Sequence, residues 1–347
     1  MISPITGKEM QVRSEIAPLS FRKENFDVFY QFYECETSGI RFTDDALDKI
    51  NITQVHNSYR AKYGIPFPDE IRQIRQRYGI SANKMSEILG LGANSYRLYE
   101  TGDVPSVAIG RLILSIKQPE EFIKQVSASS HIISKREADK LITNANLIIN
   151  EWDKNKKKLF GISFHNNFAG ELTGYKTLDL DKVSGIISYF NTVHAISLCK
   201  TKLNKLLFYT DFNAYQVYGY SMSGLSYQAI QYGPVPFRYD RLYLKLCESE
   251  KITIREKEYG DGIYGDDIRS NEKFDSFDFQ DIDIEILEFV ANKYGFLQTK
   301  IIVDRSHKET AWIENHEDSS LINYRYAFCL NEKISPKVIR ELDKDLS

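Results

Sequence analysis

The decapeptide Leu91-Gly-Ala-Asn-Ser-Tyr-Arg-Leu-Tyr-Glu100 opens on a glycine turn and runs into a segment with tyrosines at 96 and 99. Residues three apart share one face of a helix, so a helix is expected from Ala93 with Tyr96 and Tyr99 turned inward. Gly102 stops it, and Pro105 lies just beyond. Upstream, Ser81 suits the N-cap of a helix that carries Met85, Ile88 and Leu89 on one face, and Gly90-Leu91-Gly92 is the tight turn between the two. Before that, Pro66-Phe-Pro-Asp-Glu70 opens another helix: prolines fit a first turn and acids suit the positive end of the helix dipole. On it Ile71, Ile74 and Tyr78 recur at helical spacing, and Gly79 ends it. A fourth helix over residues 109–116 closes the set.

Short helices joined by glycine turns follow the pattern of a helix-turn-helix. The charge distribution agrees. Residues 60–117 carry 9 Lys and Arg against 5 Asp and Glu, whereas residues 1–59 carry 6 against 9 and residues 118–347 carry 30 against 34. One basic segment inside an acidic chain of net charge −3 is what a single polyanion-binding region would give. Arg72, Arg75 and Arg77 can also be read as a solvated helix face. The composition, 42% hydrophobic and 27% charged over 347 residues, excludes collagen-like, low-complexity and wholly disordered classes. No apolar run approaches the roughly 18 residues of a membrane span. Met1-Ile2-Ser3-Pro4 does not begin a basic-then-apolar signal. Cys35, Cys199, Cys247 and Cys329 are far apart and unpatterned, which suggests free thiols in a reducing, cytoplasmic setting.

Residues 1–55 read as strand-rich, with Phe26, Val28, Tyr30 and Phe32 at period two. Two turns flank that run, Ser3-Pro-Ile-Thr-Gly7 and Cys35-Glu-Thr-Ser-Gly39. Each has the spacing of a zinc knuckle, C-x-x-C-G, but only Cys35 stands at a ligand position. Hydroxyls are poor zinc ligands, so no metal is expected. After the basic region, Pro119 starts a helix over residues 120–126, Ser127-Ala-Ser-Ser130 is a polar break and candidate hinge, and residues 134–158 read as one long helix with Leu141, Ala145, Ile148 and Ile149 inward. Its basic end at residues 154–158 is solvated helix-end charge or, alternatively, a DNA contact. Residues 161–174 read as irregular. In the C-terminal half, residues 182–190 form an amphipathic helix, and Thr201-Lys-Leu-Asn-Lys-Leu-Leu-Phe-Tyr-Thr-Asp-Phe212 is apolar on nearly every face, as a buried central helix would be. Residues 224–232 alternate partly like a strand, Gly233-Pro-Val-Pro236 forces an extended backbone, and helices follow at residues 237–246 and 285–294. Residues 258–288 hold 11 acids against 2 bases.

Glu70-Ile-Arg-Gln-Ile-Arg75, Ser81-x-x-x-Met85-Ser86, Leu89-Gly90 and Tyr99-Glu-x-Gly102-x-x-Pro105 resemble the Xre/Cro repressor family. The decapeptide resembles its MqsA branch, in which this domain follows a zinc ribbon. The resemblance implies that the helix after Ala93 enters the major groove, with Asn94 matching the family's base-contacting Asn, and Ser95 and Arg97 next in reach. Asn83, Lys84 and Arg111 become phosphate contacts. The MqsA pattern has Arg directly before its Tyr-Glu pair; here Leu98 stands there and Arg97 one place earlier, and Ala82 stands where many relatives have Gln. A different operator is implied.

The C-terminal half resembles the SocA-like, or Panacea, antitoxin family. Its K-L-x-K-L-L-x-Y helix stands at Lys202–Tyr209, its A-x-x-x-G-P-V turn at Ala229–Val235 followed by Tyr239, and its late S/T-H then Trp at Ser306-His307 and Trp312. The resemblance implies a mostly helical domain that binds and neutralises a toxin encoded beside it, and the family offers no catalytic residues to transfer. Tyr232, Arg238 and Tyr239 around the turn, with Asp266 and Asp267 in the acid-rich stretch, are the candidate toxin contacts. That stretch either occludes a basic groove on the toxin or is a solvated loop and helix.

Enzyme readings are weaker. Asp304, Ser306 and His307 are neighbours in sequence, and such a local cluster rarely gives triad geometry. His194 with Cys199 is a possible thiol pair, but Cys199 precedes an apolar helix and fits core. The histidines show no metal-ligand spacing. The expected fold is mainly α with a small N-terminal β unit: residues 1–58 a metal-free ribbon, 59–128 the helix-turn-helix, 129–174 a helical connector and 175–347 the toxin-binding domain. The expected function is that of a cytoplasmic bacterial antitoxin without cofactor, acting as a homodimer that represses its own operon at an inverted repeat. A stand-alone transcriptional regulator or a SocA-like protease adaptor is the alternative.

Overall fold

A computed structural model describes residues 1–159, 169–258 and 264–334, and the backbone alone for residues 150–159. Most of the expected irregular stretch at 161–174, the lysine side chains at 154–158, and Gly260 and Gly262 therefore lie outside the described residues. Strands β1 (Gln11–Phe21), β2 (Glu24–Glu34) and β3 (Arg41–Phe42) form an N-terminal sheet in the order β1-β2-β3. Helices α1 (Asp45–Tyr63), α2 (Pro68–Arg77), α3 (Ala82–Ile88), α4 (Ser95–Thr101), α5 (Val107–Ser115), α6 (Pro119–Ala128) and α7 (Lys135–Leu159) follow. Then come α8 (Leu180–Ser188), α9 (Lys200–Tyr218), the hairpin β4 (Tyr227–Ile230) and β5 (Gly233–Pro236), α10 (Tyr239–Glu248), the hairpin β6 (Ile252–Glu258) and β7 (Tyr264–Ser270), α11 (Asp281–Val290), α12 (Thr299–Ser306), α13 (Thr310–Ile313) and β8 (Leu321–Ile322). β8 joins β4 to make the sheet β5-β4-β8. The described chain is mainly α with a small N-terminal sheet. No helix among the described residues is long and apolar enough to cross a membrane.

The chain divides into two compact units. One comprises Met1–Leu19, Asp27–Gln54 and Phe168–Ser347; the other comprises Ser20–Phe26 and Val55–Asn167.

In the first unit the reading of residues 1–55 as strand-rich fails beyond β3, because α1 begins at Asp45. Asp44 caps it, its Oδ1 accepting from Leu47 N at 3.1 Å, and Asp45 and Asp48 sit in the first turn. The helix also stands in for a strand. Asn51 bonds both backbone groups of Gln31 (2.8 and 2.9 Å), and Gln54 bonds both of Phe29 (3.0 and 3.0 Å). Two side-chain amides thus satisfy polar groups that buried backbone cannot leave unpaired. The core of this unit surrounds α9, whose residues from Leu203 to Gln216 are all buried. Two π-helical turns, Tyr189–Val193 and Ala291–Gly295, extend α8 and α11.

In the second unit the short helices share one core that includes Ile71, Tyr78, Met85, Tyr96, Ile113 and Phe122. Ser81 caps α3 through Lys84 N, as its position suggests. Tyr78 stacks on Phe122 at 3.8 Å. The Ser127–Ser130 break is partly anchored rather than hinge-like: Ser129 is buried, and its hydroxyl donates to Ile88 O at 2.7 Å.

Candidate functional site

A helix that is buried on every face must find a partner for each polar side chain it carries. α9 carries several. Asp211 accepts four hydrogen bonds, from Met222 N, Ser223 N, the Ser223 hydroxyl and the Tyr227 hydroxyl, at 2.6–2.9 Å. Burial still pushes its carboxyl above the usual range. Tyr209 stacks on Tyr294 at 3.9 Å and donates to Glu309 Oε1 at 3.2 Å. Asn204 accepts from the Tyr243 hydroxyl. Lys202 reaches Gly295 O at 3.2 Å.

Lys205 is the buried cation of α9. It is fully buried, and its Nζ donates to Pro234 O at 3.0 Å. Burial lowers its pKa from 10.5 to about 7. The contact requires a glycine next door. At Gly233, where φ is +92°, a Cβ would fall 2.3 Å from Ser306 Oγ and 2.8 Å from Lys205 Cε. The β4–β5 hairpin is fixed from its other strand by Trp312, whose Nε1 donates to Ile230 O at 2.8 Å. Trp312 lies between His307 and His316, with both ring pairs stacked at 4.1 Å. Three stretches far apart in sequence, 202–209, 229–235 and 306–312, therefore meet at one hairpin.

Among the described residues no hydrogen bond joins Ser306, His307 and Asp304 to one another. The Ser306 hydroxyl is buried and donates to Val303 O in its own helix at 2.8 Å. Desolvation holds the His307 imidazole below its ordinary range. His194 pairs with Glu288 at 2.9 Å, whereas Cys199 Sγ contacts the Thr299 hydroxyl at 3.5 Å.

Tyr232 protrudes at the hairpin turn with 61% of its surface exposed. Arg238, in the left-handed region at φ +56°, and half-buried Tyr239 begin α10. Asp266 and Asp267 lie on β7. Asp266 pairs with Lys200 at 3.2 Å, while Asp267 is buried and bound by Arg269 at 2.7 Å and Ser197 at 3.3 Å. The acid-rich stretch is thus partly strand and partly helix, with Asp283 closing a capping box at the start of α11.

Residues 203–313 match the family model for the antitoxin SocA-like, Panacea domain. Among curated proteins no match to the chain is found. The matched segment runs from inside α9 to the end of α13, so the contacts of Lys205, Gly233, Ser306 and Trp312 at the hairpin lie within it. Sequence patterns picked out Lys205, Gly233 and Trp312 as motif letters without giving them partners. Asp211 was missed, and the signal for it was the single carboxylate in a helix buried on every face.

In the second unit, α3, the turn after it and α4 form a compact pair. Leu91 N donates to Ser86 O, and the Ser86 hydroxyl accepts from Tyr96 N at 3.1 Å, which fixes the start of α4. Tyr96, fully buried, donates its hydroxyl to Ile71 O at 2.9 Å. Arg75 grips the Glu100 carboxylate with two nitrogens, at 2.6 and 3.1 Å. Arg72 reaches Glu100 O, and Arg77 reaches Lys117 O. Each of these three arginines bonds to protein, and Arg75 is drawn inward by Glu100, while Arg72 keeps a partly solvated side chain. Buried Arg60 holds Gly102 O at 2.6 Å, just past the end of α4.

α4 turns its other side outward. Asn94, Arg97 and Leu98 are exposed, and the Asn94 side chain makes no capping bond. Ser95 is half-buried, and Asn83 on α3 and Arg111 on α5 are exposed. Lys84 differs, since its ammonium is already shared by Glu87 at 2.6 Å and Glu137 at 3.1 Å.

Proposed function

We propose that this protein is the antitoxin of a two-component toxin–antitoxin pair. In this reading the C-terminal region, residues 175–347, captures and neutralises a cognate protein toxin. Residues 59–128 act as an Xre/MqsA-like helix-turn-helix and repress the operon. The observation that carries the reading is the match of residues 203–313 to an antitoxin domain. The hairpin at its centre supports it: a rigid platform of buried, mutually bonded groups presents Tyr232 to solvent, and an aromatic anchor on a fixed support is how a protein partner is typically gripped.

The second half of the reading is supported by α4. A recognition helix needs its axis fixed and its first residues free to meet base edges. Ser86, Tyr96 and Arg75 fix the axis. The exposed Asn94 amide has the donor and acceptor to pair with adenine, and Arg97 has the fork to pair with guanine. Asn83 and Arg111 would position the domain on phosphates, and Lys84 would do so only by leaving its carboxylates. One such domain reads one half-site, so binding as a homodimer to an inverted repeat follows. No catalytic step enters this reading, and the proposed setting is the bacterial cytoplasm.

The test is induction of the gene beside this one, alone and together with the full-length chain. Growth arrest that the chain relieves is the expected outcome. A neighbour that is harmless alone would replace the antitoxin reading with a stand-alone regulator or a protease adaptor.

A further inference from the structure

The two turns framing the N-terminal hairpin are one turn built twice. In each, the first residue donates its amide to the carbonyl five residues on, Ser3 to Lys8 at 2.8 Å and Cys35 to Ile40 at 3.0 Å. In each, the glycine four residues on returns a bond to the first carbonyl, Gly7 to Ser3 at 2.9 Å and Gly39 to Cys35 at 2.7 Å. Both glycines are left-handed, at φ +68° and +67°. A ribbon built on such turns places thiolates at the first and fourth positions of each and joins them through tetrahedral zinc. Here those positions hold Ser3, Thr6, Cys35 and Ser38.

These residues do not fit zinc. One thiol and three neutral hydroxyls are a poor donor set for a metal that favours Cys and His. Among the described residues no group of three or more His, Cys, Asp or Glu is placed to hold a metal ion. Yet the side chains still converge. The Ser3 hydroxyl donates to Cys35 Sγ at 3.3 Å, and Thr6 Oγ1 lies 3.7 Å from the same sulfur. Ser3 and Cys35 are both 2% exposed. Cys35 shares a small buried cluster with Met10, Tyr33 and Leu47.

We propose that a hydrogen-bonded cluster centred on the Cys35 sulfur has taken over the clamping role of a metal, while the four side-chain positions retain the cage. The sulfur, itself on the second turn, accepts from the Ser3 hydroxyl of the first, so it joins the two as a metal would. The inference stands apart from the antitoxin reading and survives or fails without it.

The test uses the full-length chain with cobalt as a spectroscopic stand-in for zinc. The wild-type protein should give no visible tetrahedral thiolate bands with Co2+, and its Tm should not move with chelator. The triple variant Ser3→Cys, Thr6→Cys, Ser38→Cys should bind one equivalent with strong bands and gain Tm when metal is added. A wild-type protein that carries stoichiometric zinc, or loses Tm on chelation, would overturn the proposal. So would a folded triple variant that binds cobalt only weakly, with a pale octahedral spectrum. A double-mutant cycle keeps the matter decidable if the triple variant does not fold. Ser3→Ala and Cys35→Ala should each lower Tm, and the double variant should fall by less than the sum of the two, because Ser3 also holds Ile5 N and Thr6 N. Additive losses would mean that the two turns are not joined through this sulfur.

Discussion

Helices α9 and α4 use polar residues in opposite ways. α9 buries Asn204, Lys205, Asp211 and Asn213, and the bonds of these residues end on protein groups: Tyr243, Pro234 O, the loop at Met222–Ser223 with Tyr227, and Tyr209 O. α4 buries Tyr96 and Glu100 as anchors and leaves Asn94, Arg97 and Leu98 exposed. Motif residues inside α9 therefore hold the domain together, and a partner meets what that domain displays. In α4 the motif residues at the surface are themselves the proposed contacts. The same kind of sequence signal, a short run of matched letters, marks a scaffold in one region and a proposed interface in the other.

The largest expected effect lies in α9. Asp211→Ala leaves two buried amides and two buried hydroxyls without their acceptor. The loss should be roughly 3–5 kcal/mol, enough to unfold a marginal domain, and is read by chemical denaturation. A stability change of less than about 1 kcal/mol would show that the carboxylate is not the hub described.

Lys205 gives a middle-sized effect with a sign that depends on pH. Its pKa falls from 10.5 in the unfolded chain to about 7 in the folded one. The unfolded chain therefore binds more protons between those values, and stability should rise with pH across that window. The penalty is fully present below it. In Lys205→Met this contribution disappears, so the stability of wild type relative to the variant should climb from pH 7 towards pH 10. A difference that stays flat across that range would mean that the amine is not desolvated as described.

Arg97→Glu should have the smallest effect on stability, within about 0.5 kcal/mol, because the residue is exposed. Its effect on operator binding should be large, with affinity lost and the salt dependence of residual binding reduced.

What the sequence made legible follows the range of the interactions. Local signals were readable: Ser81 as a cap, the glycine stops, the buried face of α9 and the knuckle spacing around Cys35. Long-range ones were not. α1 hid because its decisive contacts, Asn51 and Gln54 on the backbone of β2, join residues 20 and 25 positions apart. The β6–β7 hairpin hid inside a run dominated by acids, whose charge spoke more loudly than its alternation. The π-helical ends of α8 and α11 have no sequence signature separate from helix. Arg75 looked like a surface charge because its partner, Glu100, lies two helices away. At the candidate site, the letters of the motifs were visible but their meeting at the β4–β5 hairpin was not, since each stretch is unremarkable until the fold brings the three together.

The central claim is that toxin capture and operator binding reside in different parts of the chain. Its most direct test is full-length Arg97→Glu in a host whose growth is arrested by the neighbouring gene, with operator binding measured on the same protein. The account predicts growth restored as fully as by wild type and operator binding abolished. Failure to restore growth by a folded variant, or operator binding that survives the charge reversal, would contradict it.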